Sequence, residues 1–111
     1  TGRMTVQDPD GADDTIIRCG EMAVDRERYL VRVGKRRVDL TLMEFNILVA
    51  IAEQAGRVAP YEALTKRFWD AASAGHRRRL AVLVSRLRSK LGDGARYIET
   101  VHRVGYRLSP S

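Results

Sequence analysis

The stretch HRRRLAVLVSRLRSKLGD, residues 76–93, constrains this chain more than any other. Leu80, Val84, Leu87 and Leu91 recur at spacings of four, three and four, which places them on one stripe of an α-helix, and Leu83 widens that stripe. Arg77, Arg78, Arg79, Arg86, Arg88 and Lys90 stand between them. Gly92 follows the last apolar position and marks a helix end. Such a helix must bury its leucines against the rest of the chain while holding a dense cationic surface away from it. That surface is either simply solvated or made for a strongly negative partner, and the remaining residues decide between the two.

The chain has 111 residues, enough for one small domain. No apolar run approaches the roughly 18 residues of a membrane span. No secretory pattern opens the sequence, so a cytoplasmic location and no membrane partner are expected. The single cysteine, Cys19, excludes an intrachain disulfide and a cysteine metal cluster, and is read as strand packing. His76 and His102 have no motif partner, and no Gly-rich phosphate loop, paired-carboxylate motif or metal-ligand spacing occurs. Neither catalysis nor a cofactor nor a metal is therefore expected. The net charge of +6 is uneven: residues 76–107 hold nine Lys and Arg against two acids, residues 1–25 two against six. A basic C-terminal third behind an acidic start is the electrostatic footprint of a nucleic-acid binder.

In chain order, residues 1–14 carry Asp, Gly, Pro and Thr without apolar periodicity and read as a linker or flexible leader, which suggests a further domain upstream. The folded domain is expected over 15–109. Residues 16–19, 21–25, 28–33 and 36–40 are rich in β-formers and separated by turn signals, which predicts three or four antiparallel strands in a meander. Thr41 and Glu44 fit a capping box ahead of a core helix whose inward face is Phe45, Leu48, Val49 and Ala52, ending at Gly56. A second helix is expected from about Pro60 to Trp69, with Tyr61, Leu64 and Phe68 on one face. Residues 70–75, DAASAG, read as a loop before the basic helix. After Gly92-Asp93-Gly94 the period switches to two, predicting strands over 97–101 and 105–109 with His102, Arg103 and Val104 at the bend. A basic-tipped hairpin directly after a basic helix has the layout of a winged helix-turn-helix.

The segments VDLTLMEFNILVAIAEQAGRV (38–58), EALTKRFW (62–69), LVSRLRSKLGD (83–93) and YIETVHRVGYRL (97–108) together resemble the C-terminal effector domain of OmpR/PhoB-type response regulators. The likeness covers about residues 16–108, and its specificity lies in the order and spacing of four motifs. It implies an α+β fold: an N-terminal four-stranded antiparallel sheet, three helices and a C-terminal β-hairpin wing. It further implies a two-component regulator of transcription that binds double-stranded DNA, with helix 76–92 in the major groove and wing 97–108 at the minor groove. An isolated domain of this kind is monomeric and pairs head to tail on tandem direct repeats. The loop at residues 70–75 corresponds to the one that touches RNA polymerase, and an upstream receiver domain controls dimerisation.

With the leucine stripe inward, Arg78, Val82, Ser85, Arg86 and Ser89 face out together, a mixture suited to base edges. Arg86 is the candidate for a bidentate bond to guanine, and Val82 for a thymine methyl. Arg79, Arg88 and Lys90 lie to the side, where phosphate is the expected target. Arg77 and Arg78 sit near the helix N-terminus, whose dipole also favours phosphate. In the wing the candidates are Thr100, His102 and Arg103. Here the chain departs from the family pattern Thr-Val-Arg-Gly-Val-Gly-Tyr: His102 takes the Arg position and Arg103 the Gly position. If that turn needs a positive φ, Arg103 costs roughly 1 kcal/mol or more. Leu80-Ala81-Val82-Leu83-Val84 stands where Val-Asp-Val-His-Ile is common; Ala81 and Leu83 remove polar groups that could contact DNA, which leaves the target sequence open but not the binding. The competing reading is a winged-helix protein-interaction module with weak or non-specific DNA binding.

Overall fold

In the N-terminal third, Met22, Val24, Val31, Val33 and Val38 are buried while their neighbours along each strand face outward, the period-two pattern of a sheet with one covered side. A computed structural model describes residues 15–70 and 73–110; the expected leader at 1–14 lies outside the described residues. Strands β1 (Ile16–Cys19), β2 (Met22–Asp25), β3 (Leu30–Val33) and β4 (Arg36–Val38) form one antiparallel meander in sequence order. The second, third and fourth are shorter than the sequence pattern suggested. Asp25 explains one boundary: its carboxylate accepts from the N–H groups of Glu27 and Arg28 and closes the β2–β3 turn, so pairing resumes only at Leu30.

The first helix, α1 (Leu42–Ala52), opens on the expected capping box. Thr41 Oγ1 accepts from Glu44 N–H at 3.2 Å, and Glu44 Oε1 accepts from Thr41 N–H at 2.9 Å. It ends at Ala52 rather than at Gly56, because turn bonds from Gln54 to Ile51 and Ala55 to Ala52 tighten the chain first. Ile47, Ala50 and Ile51 are buried along with the expected inward face. Eight of its eleven residues are buried, so it has no wide solvent side.

The second helix, α2 (Tyr61–Trp69), starts one residue later than expected. Pro60 is its N-cap, without a side-chain cap bond, and also closes a two-residue strand β5 (Ala59–Pro60). The basic helix α3 (Ala74–Leu91) begins two residues earlier than expected, because Ser73 Oγ accepts from His76 N–H at 3.2 Å and caps it. The loop therefore spans less than 70–75, and its residues 71 and 72 lie outside the described residues. Leu80, Val84, Leu87 and Leu91 are all buried, as their spacing requires.

A 3-10 turn (Gly92–Tyr97) takes Tyr97 out of the expected strand and leads into β6 (Ile98–Val101) and β7 (Gly105–Leu108). These pair with β5 in the order β5-β7-β6, so the expected hairpin is the greater part of a three-stranded sheet. Gly105 makes this possible: a Cβ there would collide with the Ala59 carbonyl. Tyr97 ties the two halves together, its hydroxyl accepting from Glu21 N–H at 3.0 Å while its ring lies against Gly20. The fold is α+β: a four-stranded antiparallel sheet, three helices and a C-terminal hairpin.

Candidate nucleic-acid interface

Helical geometry divides the polar surface of α3 into three strips around its buried stripe. The outward strip carries Arg78, Val82, Ser85, Arg86 and Ser89, all exposed, with Val82 at 50%. Among the described residues neither Arg78 nor Arg86 has a hydrogen-bond or ion-pair partner. Both guanidiniums thus project from an otherwise small-side-chain surface with their donors unspent.

The second strip faces α2 and the hairpin. Arg77 lies over the ring of Tyr61, with Cζ 4.4 Å from the centroid, and Tyr61 meets Tyr106 edge-on at 5.4 Å. Tyr61, Ala74, Arg77, Arg78, Ala81 and Tyr106 line a groove between the helix and the hairpin base. Burial, and then the neighbouring Tyr61, push the Tyr106 phenol up. Arg88, on the same strip, is committed to the hairpin. Its Nε and Nη2 donate to Ile98 O at 3.2 and 2.7 Å, and Nη2 donates to Thr100 Oγ1 at 2.8 Å.

The third strip faces α1 and α2. His76 stacks on Trp69 at 5.5 Å with rings 10° apart, and Arg79 Cζ lies 6.0 Å from the Trp69 centroid. Lys90 Nζ donates to Glu44 Oε1 at 2.8 Å. Burial alone pushes the Glu44 carboxyl up, but the bonds from Lys90 and Thr41 more than offset this and hold it below the usual carboxylate range. At the end of α3, Arg36 from β4 donates to Leu91 O at 2.7 Å, satisfying a carbonyl the helix leaves open.

The hairpin tip stands beside the second strip. Val104 N–H donates to Val101 O at 2.9 Å across a four-residue turn, and Arg103 there has φ 68°. His102, Arg103 and Val104 are exposed. The candidate residues lie along α3 and the adjoining hairpin, but they are not equivalent. Arg78, Val82, Ser85, Arg86 and Ser89 share the open strip. Arg77 and Arg79 are held against aromatic rings. Arg88, Thr100 and Lys90, expected to face phosphate or DNA, are tied to other parts of the fold. Sequence reasoning missed Tyr61 and Tyr106 as groove walls, because they meet only through the pairing of Ala59 with Tyr106. Among the described residues no group of acids, histidines and cysteines is arranged to hold a metal, and no helix is long and apolar enough to cross a membrane.

A family model described as the C-terminal domain of transcriptional regulatory proteins matches residues 34–108. The chain is 36% identical over 104 residues to the sensory transduction protein RegX3 of Mycolicibacterium smegmatis, a match covering 91% of this chain and 46% of that protein. The chain thus spans about half the length of the curated relatives it matches. Among solved structures, the Klebsiella pneumoniae RstA DNA-binding domain in complex with the RstA box superposes with a TM-score of 0.76 at 32% identity, over 86% of this chain and 98% of that one. The Thermotoga maritima response regulator DrrB, an OmpR/PhoB homologue, gives 0.74 at 30% identity, over 86% of this chain and 44% of that one.

Proposed function

The chain belongs to the family of transcriptional-regulator C-terminal domains of the OmpR/PhoB type, and from that premise we propose that it binds double-stranded DNA in a sequence-specific way, α3 lying in the major groove and the β6–β7 hairpin at the adjacent minor groove. The family is one of transcription regulators of two-component systems, not of enzymes. The observation that carries the reading is the open strip of α3: two uncommitted arginines, Arg78 and Arg86, among Val82, Ser85 and Ser89. Bidentate guanidiniums read guanine, small hydroxyls adapt to either partner, and an exposed valine meets a thymine methyl. Arg77 and Arg79, at the strip's N-terminal margins, serve the phosphates there. His102 and Arg103 carry the hairpin's contact, with Arg103 as the cation. That the solved RstA domain holds its box supports the reading.

The finer arrangement follows the same premise. Two copies bind head to tail on tandem direct repeats, the free domain is monomeric, residues 70–75 meet RNA polymerase, and the whole protein works in the cytoplasm. Selection of bound sequences from a random duplex pool tests the proposal. The expected result is an enriched motif present as two direct repeats. No enrichment of any duplex contradicts DNA recognition, and enrichment of a single half-site contradicts the paired arrangement.

A further inference from the structure

The hairpin has one open edge, and an arginine of the recognition helix covers it. In the order β5-β7-β6, β6 is the outer strand among the described residues. Ser109 N–H donates to Tyr97 O, so that carbonyl faces β7. Carbonyls alternate sides along an antiparallel strand, so Ile98 O points the other way, off the edge and toward α3. There it accepts from both Nε and Nη2 of Arg88, whose Nη2 also reaches Thr100 Oγ1 two residues along. The same guanidinium carbon lies 5.8 Å from the Tyr106 ring centroid on β7. One side chain thus touches both strands of the hairpin from a fixed position on α3, three residues beyond Ser85 and two beyond Arg86.

A planar fork that binds a carbonyl and a hydroxyl at once fixes direction as well as distance, which a lysine ammonium does not. We propose that Arg88 is a positioning residue: it sets the angle between the recognition helix and the hairpin, so that the strip of α3 and the tip at His102 and Arg103 meet adjacent grooves together. Thr100 is its second anchor. Neither acts on phosphate. This inference rests on the DNA-binding function proposed above.

The test needs Arg88→Lys and Arg88→Ala, in the wild-type background and in His102→Ala/Arg103→Ala, with binding to the selected duplex measured across a salt series. In the wild-type background both substitutions are expected to lower affinity about tenfold, as loss of a well-placed contact of about 1.4 kcal/mol does, with the salt slope unchanged. With the tip removed, the same substitutions are expected to cost less than about twofold, because coupled residues are not additive. A residue that merely stabilises the fold would show no such dependence on the tip. Wild-type behaviour of Arg88→Lys combined with a slope smaller by about 0.9 in Arg88→Ala identifies a phosphate contact and overturns the proposal. Equal costs in both backgrounds overturn it too. Amide exchange without DNA separates this inference from the function it rests on. Arg88→Lys is expected to speed exchange several-fold across residues 98–108 and leave α1 unchanged; unaltered exchange in the hairpin contradicts the positioning role whatever the domain binds.

Discussion

Arg103 shows what one residue trades. Its φ of 68° at the third position of the Val101–Val104 turn is a conformation that glycine adopts freely and that costs other residues about 1–2 kcal/mol. The family pattern has Gly there, and this chain pays in stability for a cation at the tip. Arg103→Gly is expected to raise the unfolding free energy by roughly 0.5–1 kcal/mol, the relief less the added freedom of the unfolded chain, while weakening DNA binding. Thermal unfolding and duplex titration of the same variant check both signs. Glu44 gives the second prediction at this scale. Its folded carboxyl is held below its unfolded value, so its contribution is fully present above about pH 4.3 and is lost as pH falls through the folded value. Denaturant unfolding between about pH 5 and 3 is expected to show wild-type stability falling, with a shallower fall in Glu44→Gln.

At the scale of the element, α3 depends on how it begins. Ser73 caps it and lies under the turn that carries Arg77 and Arg78. Ser73→Ala is expected to cost about 1 kcal/mol in stability and to fray that turn, which denaturant unfolding and amide exchange at residues 76–78 measure. The helix body was legible from its leucine spacing, whereas Ser73 was hidden in DAASAG, a run of small residues without periodicity. The α1 capping box was legible because both partners are local, Thr41 and Glu44. Strand β5 was not: two residues have no period, and Ala59–Pro60 becomes a strand only through pairing with Gly105 and Tyr106. The arginines divide in the same way. Spacing sets Arg86 apart from Arg88 and Lys90 and gives the latter two to phosphate, yet what occupies them is distant: Ile98 O for Arg88, and Glu44 for Lys90. Spacing assigns a side chain to a face of its helix, but a long cation is spent wherever the tertiary fold offers an acceptor.

For the whole molecule, the arrangement is a division of labour. The first sheet and α1 build the core on which the leucines of α3 rest, and Tyr97 and Arg36 clamp the sheet to the C-terminal half. On α3, the two arginines left uncommitted, Arg78 and Arg86, then share its open side. Binding of the domain to its selected duplex, titrated between about 50 and 200 mM salt, with wild type and Arg86→Ala compared, tests recognition by this side most directly. A domain that neutralises about six phosphates should show log K falling against log salt with a slope of about −5. Arg86→Ala should lose about 1–3 kcal/mol and its preference at one base position. Salt-insensitive binding, or an Arg86→Ala variant with wild-type affinity and preference, would contradict the assignment of this face to DNA.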